Sequence, residues 1–255
     1  GAAMNDSGDG HVSWNWKANG AGSSNSDGSV SATLSANATA GFSISTFTTS
    51  GSGTFTVGHG LGVAPKMIIY RPTGSSSWQV GHNSIGWTNF LALDNNGASA
   101  SNTAFGNTAP TTSVWTGNTA NVGANAPCVA YCFAEKTGYS KFGSYTGNGN
   151  DDGVFCFTGF KPAFLLFKET SSGTNDSWFI LDNKRNTYNG PRGINLRPQN
   201  TDAENVNNWM KIDFLSNGFK LRDDDASINE SGKNYIYMAF GQSLVGTNNT
   251  PCTAR

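Results

Sequence analysis

Charged side chains are scarce in this sequence. Asp, Glu, Lys and Arg make up 13% of its 255 residues, about half of the roughly 25% found in ordinary soluble domains. The formal net charge is −1 and no basic cluster stands out, so we expect no nucleic-acid partner held by phosphate contacts. No run approaches the roughly 18 consecutive apolar residues of a membrane-spanning helix, so we also expect no membrane insertion.

Cysteine and histidine, which build many metal and catalytic sites, are also few, with four and three residues. Cys128 and Cys132 lie four positions apart in CVAYCF, which we interpret as a strand. That spacing separates them by about 13 Å, too far for a disulfide bond between them. Cys156 and Cys252 stand alone, without the second close pair that a zinc site needs. We therefore predict free cysteines used as small buried apolar residues.

Aromatic residues and glycine, in contrast, are plentiful. The chain has 16 Phe, 7 Tyr, 7 Trp and 32 Gly residues, and a disordered chain would have few aromatic side chains. Short apolar runs are separated by turns rich in Gly, Ser and Asn, and no window shows helical periodicity, so we predict an all-β protein. The predicted strands are GFSISTFT, FTVGH, KMIIYR, SWQV, FLAL, SVWT and VAYCFA, then YSKFGSY, VFCFT, AFLLFKE, SWFIL, KIDFL, GFKLR and YIYMAFG.

A repeat relates the two halves of the chain. The stretch GVAPKMIIYR, which starts at Gly62, aligns with GFKPAFLLFK, which starts at Gly159, 97 positions further on. The runs MIIY and FLLF within them are apolar throughout, which predicts central strands covered on both faces. About seven short strands per hundred residues is typical of a β-sandwich. We therefore predict two tandem, homologous β-sandwich-like units related by a pseudo-twofold repeat.

The start of the chain resembles the end of such a unit. VSWNWKANG, from Val12, is similar to AYCFAEKTG, from Ala130, so we predict that the chain begins on the last strand of a preceding repeat. Either a longer array is cut here, or this strand pairs into one of the two units. The predicted organisation is an N-terminal strand and Ser/Gly-rich linker at 1–37, a first unit at 38–136, a second at 137–246 and a C-terminal tail at 247–255.

The stretch VGHGLGVAPKMIIYR, which starts at Val57, raises the question of a phosphate-binding or catalytic loop. A P-loop or Rossmann turn leads into a helix, whereas here a proline and an apolar strand follow. The second copy keeps only one glycine and the proline. We therefore interpret the stretch as a turn feeding a buried strand, with Pro65 and Pro162 starting the two strands. His59 aligns with Cys156, and we assign it no catalytic role.

Aromatic side chains are the candidate ligand contacts, because aromatic faces stack on sugars and anchor protein contacts. Four of them lie in or near predicted loops, where we expect exposure; the alternative is that they close the ends of the sandwiches. Trp78 and Trp178 recur in both copies within strands, so we assign them to the core. The four candidates are Trp87, Trp115, Tyr188 and Trp209.

The acidic stretch RDDDASINE offers one candidate for a hard cation. Asp223, Asp224 and Asp225 could supply oxygen ligands to calcium, although the spacing fits no EF-hand and a solvated turn explains it equally well. The E-x-D-x-x-E signature of sandwich-fold glucanases is absent, and no G-x-S-x-G elbow occurs. We therefore predict no catalytic residues, no enzymatic activity and no cofactor other than this candidate calcium.

Several phrases carry a resemblance to a known family. They are GFSISTFT, VGHGLGVAPKMIIYR, SSSWQV, VAYCFAEKTGYSKFGSYTGNG, GFKPAFLLFK, IDFLSNGFKLR and IYMAF. Together they resemble a domain of uncharacterised function in structural proteins of marine tailed phages, often tail-fibre-like and often in tandem. The resemblance covers Val12 to Gly241. It implies a virion or extracellular location, other virion proteins as partners and contact with the host surface, and it supplies no catalytic residues.

The expected function is therefore a non-enzymatic virion structural or adhesion module, part of a tail fibre or tail-associated protein. A host-surface glycan or receptor is its candidate ligand. The alternatives are a carbohydrate-binding module and a sandwich-fold enzyme that processes polysaccharides. A homo-oligomer such as a trimer is a further alternative, although no heptad or collagen-like segment supplies a trimerisation device.

Overall fold

The all-β class is confirmed by the computed structural model, which describes residues 10–171, 177–185, 193–207 and 210–241. The first ten strands are β1 Ser23–Asn25, β2 Ala32–Asn37, β3 Phe42–Thr48, β4 Thr54–Gly58, β5 Met67–Pro72, β6 Gln79–His82, β7 Asn89–Ala92, β8 Ala100–Ser101, β9 Val114–Asn118 and β10 Pro127–Phe133. The others are β11 Ser140–Thr146, β12 Phe155–Phe157, β13 Pro162–Glu169, β14 Phe179–Asp182, β15 Gly193–Asn195, β16 Asn205–Asn207, β17 Ile212–Leu215, β18 Gly218–Leu221 and β19 Asn234–Gly241.

Helical structure is limited, within the described ranges, to a 3₁₀ turn at Asn83–Ile85 and two four-residue helices, α1 (Thr119–Val122) and α2 (Ala226–Asn229). No helix in that part of the chain is long and apolar enough to span a membrane. Asn118 and Asp225 cap the two helices by accepting bonds from the N–H groups of Ala120 and Ser227, as short polar residues commonly do.

Two antiparallel sheets form the centre of the fold. Sheet A has eight strands in the order β1-β2-β3-β10-β5-β6-β7-β8, and sheet B has four in the order β11-β19-β13-β14. The segment β3-β10-β5-β6 of sheet A has the same strand order as sheet B when strands are matched by the sequence alignment of the two halves. Smaller sheets pair β4 with β9, β12 with β18 and β17, and β15 with β16.

The sheets pack as four layers with three apolar cores between them. The first core lies between β4–β9 and sheet A, and the third lies between sheet B and the β12–β18–β17 sheet. The middle core joins sheets A and B themselves, so the two halves of the chain share one interior layer. Side chains alternate across a strand: Met67 and Ile69 enter the middle core, whereas Ile68 and Tyr70 enter the first. This two-sided burial explains the unbroken apolar run.

The fourteen strands predicted from the sequence are all present, with each end within two residues of its predicted position. The predicted N-terminal strand is wrong, however, because residues 10–19 form no strand. The predicted linker is wrong as well, since it contains β1 and β2, and β2 pairs with β3 along sheet A. Trp14 and Trp16 do alternate inward as in a strand, but side-chain contacts hold them in place of a backbone ladder.

The glycine-rich turn after β4 is scaffold, as the sequence indicated. Gly60 and Gly62 have φ values of 62° and 72°, a left-handed conformation that favours glycine. A Cβ atom at Gly60 would also lie 2.8 Å from the Leu34 side chain. Pro162 starts β13 as predicted, while Pro65 lies two residues before β5.

Candidate functional site

An open pocket lies where sheet B leaves part of the inner face of sheet A uncovered. At one end of that face Phe133 and Met67 are buried in the middle core. At the other end Ile44, Tyr131 and Trp78 keep part of their surface exposed. The space above them is a cavity of about 490 Å³, within the range of roughly 300–1,000 Å³ typical of small-molecule sites. We call it the aromatic pocket.

Three walls enclose the aromatic pocket. Sheet A and the loop after β7 supply Phe42, Ile44, Ile69, Trp78, Leu93, Tyr131 and Phe133. Sheet B and its flanking loop supply Phe164, Leu166, Ile180, Pro198 and Met238. The third wall is the N-terminal strap, residues 12–18, which contributes Trp14, Asn15, Trp16 and Ala18.

The strap is anchored by polar contacts at Trp14. Its indole Nε1–H donates to Asp182 Oδ2 at 3.3 Å, and the Arg185 guanidinium lies 5.4 Å from the centre of the Trp14 ring. Arg185 Nε in turn donates to Asp182 at 2.7 Å. Burial would raise the pKa of Asp182, but N–H donors from Arg185 and Lys184 outweigh it, so the pKa is lowered. The carboxylate stays ionised, which keeps this anchor intact.

Trp16 anchors the strap by aromatic packing. Its ring makes edge-to-face contacts with Phe164 and Phe240 at 5.4 Å and with Phe133 at 5.9 Å between ring centres, and such pairs contribute about 0.5–1.5 kcal/mol each. Further along the chain Asn37 Nδ2 donates to the carbonyl of Lys17. The strap therefore lies across both sheets at the mouth of the pocket.

The rim on the sheet A side is formed by Trp78. Its ring lies 6.0 Å from that of Tyr131, and the Arg71 guanidinium stacks 5.0 Å from its centre. Arg71 Nε and Nη2 donate to the carbonyls of Pro72 and Gly74. This cation is therefore held in place at the rim rather than free to swing into solvent.

The lining of the aromatic pocket is mostly apolar and aromatic. Fourteen of the sixteen lining residues are hydrocarbon, indole or thioether side chains, and the others are the amide of Asn15 and the phenol of Tyr131. Among the described residues, the lining includes no carboxylate, imidazole, thiol or amine, the groups that usually act as general acid, base or nucleophile near neutral pH. It can bind and orient an apolar or aromatic group.

The exposure predicted for two aromatic candidates is wrong. Trp115 lies in β9 and is fully buried, with its ring 4.9 Å from Tyr70. Trp87 is 8% exposed and packs edge-to-face on Phe105. Both fill the first core, where large side chains close the space between β4–β9 and sheet A. Tyr188 and Trp209 lie outside the described residues.

The two tryptophans assigned to the core differ from each other. Trp178 is buried in the middle core and its Nε1–H donates to the carbonyl of Ala92 at 2.7 Å, as predicted. Trp78 lies just before β6, is half-buried and lines the aromatic pocket. Sequence reasoning therefore missed Trp78, Trp14 and Trp16 as site residues. The alternation of Trp14 and Trp16 is the available signal, because it places both indoles on one side of the chain.

The acidic residues form a different cluster from the predicted one. Carboxylates of Asp151, Asp223 and Asp224 lie within 4.8 Å of one another, whereas Asp225 caps α2. Lys211 Nζ lies 2.8 Å from Asp223 and neutralises part of the charge. The three carboxylates together offer oxygen ligands of the kind that a hard cation takes, and the ion pair with Lys211 competes with a cation for Asp223.

The ring nitrogens of His59 and His82 form hydrogen bonds with backbone groups. His59 Nδ1 accepts from the N–H of Leu61 and its Nε2–H donates to the carbonyl of Thr111, both at 3.2 Å. His82 makes the same pair of bonds, accepting from Ser84 N–H and donating to the Tyr237 carbonyl. Burial lowers the pKa of His59, and lowers that of His82 to about 4. Both imidazoles are neutral near pH 7 and have no ring nitrogen left for catalysis.

The cysteine prediction is confirmed for the described residues. Cys128, Cys132 and Cys156 are free and buried. Burial raises the pKa of the Cys128 thiol to about 11 and that of Cys156 to about 12. Such thiols are poor nucleophiles because the reactive thiolate is rare at neutral pH.

Comparison with known proteins places the chain in a family. Residues 1–243 match the family model described as "Domain of unknown function (DUF7483)". No curated protein and no solved structure matches the sequence. Because the family model covers nearly the whole chain, the chain belongs to this family, a domain of unknown function.

Proposed function

We propose that this chain is a non-enzymatic structural and adhesion module of a phage virion, part of a tail fibre or tail-associated protein, which holds its ligand in the aromatic pocket. The observation that carries the binding role is the lining of that pocket, which is apolar and aromatic and, among the described residues, includes no acid–base or nucleophilic group. A glycosidase would need two carboxylates flanking its substrate. The sequence phrases quoted above support the virion location.

A carbohydrate-binding module is the second candidate function. The half-buried rings of Trp78 and Tyr131 at the rim support it, because sugars stack their apolar faces on aromatic side chains. In this reading the sugar would lie across the rim, where water can still solvate its hydroxyl groups, rather than in the apolar interior.

One experiment separates binding from catalysis. The purified chain is applied to a glycan array and, in parallel, incubated with a panel of polysaccharides while the release of reducing ends is measured. We expect no turnover. Any array binding should be lost in Trp78→Ala or Tyr131→Ala and kept in Phe157→Ala, a matched control because Phe157 is exposed away from the pocket. Turnover of any polysaccharide would contradict the non-enzymatic proposal.

The location needs a separate test. Mass spectrometry of purified virions from a phage that encodes this chain should detect it among the structural proteins, together with the virion proteins that we propose as its partners. Light scattering on the purified chain would give its oligomeric state. If the chain is present in the infected-cell lysate but absent from washed virions, the virion location is contradicted, while the proposed binding role is unaffected.

A further inference from the structure

We propose that the aromatic pocket holds the aliphatic chain of an anionic amphiphile, with the chain in the interior and a carboxylate head beside Arg71. This inference deepens the proposed function and rests on the binding role of the pocket. It does not depend on the virion location. Three features of the described residues carry it: the interior lining, the volume and the state of the rim cation.

The interior lining selects hydrocarbon over sugar. The buried lining residues include Ile69, Leu166, Ile180 and Met238, each at most 9% exposed, and none of these four can donate a hydrogen bond to a ligand. A hydroxyl group buried there without a partner costs roughly 1–3 kcal/mol, and a sugar ring carries several. Methylene groups lose nothing on entering such a space and gain about 0.8 kcal/mol each when buried.

The volume suits a chain rather than a single ring. An apolar cavity of about 150 Å³ is enough to hold benzene, and the aromatic pocket has about 490 Å³. This space accommodates an aliphatic chain on the order of a dozen carbons. The lining residues Trp14, Trp16 and Trp78 are only half-buried, so one end of the chain would stay near solvent.

The rim cation selects an anionic head group. In β5 the side chains of Met67 and Ile69 enter the layer between the sheets, and Arg71 follows two residues later on the same face. Arg71 bonds to two backbone carbonyls, and no carboxylate of the described residues pairs with it. Arg185, which stacks on Trp14 of the strap, already pairs with Asp182. Arg71, which stacks on the lining residue Trp78, is thus the cation beside the pocket with capacity for a ligand carboxylate.

Calorimetry with dodecanoate and with dodecanol, both below their aggregation concentrations, tests the proposal on the full chain. We expect both to bind with one site per chain. Arg71→Gln should weaken dodecanoate binding roughly three- to fivefold, the scale of an exposed ion pair, and leave dodecanol unchanged. Lys17→Gln is the matched control, because Lys17 is an exposed cation of the strap, and it should change neither. Equal loss for both ligands in Arg71→Gln would overturn the head-group assignment.

Filling the pocket tests where the chain binds. Ala18→Trp places an indole in the pocket from the strap and should remove binding of both ligands, whereas Ala21→Trp, at an exposed position outside the lining, should not. A second measurement needs no variant. A bromine-labelled dodecanoate should quench part of the tryptophan fluorescence, since Trp14, Trp16 and Trp78 line the pocket whereas Trp87 and Trp115 are buried in the first core.

The results of these experiments can refute the aliphatic ligand without refuting the proposed binding role. No binding of either ligand to the folded chain, or binding unchanged in Ala18→Trp, overturns the aliphatic ligand. A dimer in light scattering that Ala18→Trp converts to monomer assigns the pocket to a second copy of the chain and also overturns it. Glycan binding that is lost in Trp78→Ala, without dodecanoate binding, overturns the ligand class but leaves the proposed binding role standing.

Discussion

Lowering the pH from 7 to 4.5 is expected to destabilise this protein chiefly through His82. The imidazole is fully buried between the two central sheets, and it bridges them by donating from Nε2 to the Tyr237 carbonyl. Its Nδ1 accepts from the N–H of Ser84 at 3.1 Å. A proton on Nδ1 would leave that N–H without an acceptor and place a charge in an apolar layer, so protonation opposes the native state.

The magnitude follows from the pKa. Burial lowers the pKa of His82 from 6.5 to about 4 in the folded protein. As the pH falls below 6.5, the unfolded chain takes up a proton at this position and the folded chain does not, so the free energy of unfolding decreases. Between pH 7 and 4.5 this linkage removes about 2.5 kcal/mol. His59, whose pKa is also lowered by burial, acts in the same direction.

Urea unfolding at pH 7, 5.5 and 4.5, followed by tryptophan fluorescence, measures this loss. His82→Gln retains an amide donor for the Tyr237 carbonyl but cannot titrate in this range. It should be less stable at pH 7 and show a flatter dependence on pH. His11→Gln, which removes an exposed imidazole, should keep the parental slope. Asp182 changes this measurement little. Its pKa is lowered in the folded protein, so the stability that it contributes is lost at pH values below the range from 7 to 4.5. If His82→Gln loses as much stability as the parent between pH 7 and 4.5, the reasoning fails.

Three other outcomes are expected. Trp115→Ala should cost roughly 3–5 kcal/mol in urea unfolding, as for other large core truncations, whereas Phe157→Ala, at a position that is 61% exposed, should change stability by less than about 0.5 kcal/mol; equal costs would mean that Trp115 is not core. Gly28→Ala places a Cβ atom 2.2 Å from the Thr56 carbonyl oxygen, so it should speed amide exchange at Val30, whose N–H donates to that oxygen; unchanged exchange would show that the loop adapts. In a Cys252→Ser background, thiol reagents should label the native chain slowly and the unfolded chain at three positions, and fast native labelling would contradict the burial of Cys128, Cys132 and Cys156.

The strands that the sequence predicts well are those with strong local patterns. KMIIYR and AFLLFKE combine an apolar run with flanking turn residues, and both form central strands. β2 has the sequence ATLSAN, and its small polar residues are typical of a linker rather than of a strand. Its pairing with β3 supplies the stabilisation that its composition does not show. Whether such a segment forms a strand depends on its pairing with a strand that is distant or of different composition, and a short window of sequence does not contain that information.

The aromatic pocket could not be derived from the sequence in the same way. Its walls come from positions as distant as Trp14, Tyr131 and Ile180, and they meet only because sheets A and B share a core. Composition also does not distinguish a tryptophan that fills a core from one that lines a rim. Trp115 alternates with polar neighbours in VWTGN, a pattern that favours burial in the core. The residues next to Trp78 in the sequence, in contrast, give no sign that its ring will contact Arg71 and face the strap across the pocket.

The shared layer between sheets A and B has a consequence for how far the two halves of the chain can act as separate domains. Each half covers much of the inner face of the other, so a single half expressed alone would expose an apolar surface on the order of several hundred square ångströms, a size at which association usually follows. Cutting the chain between β10 and β11 is therefore expected to give two pieces that remain in solution together and aggregate apart.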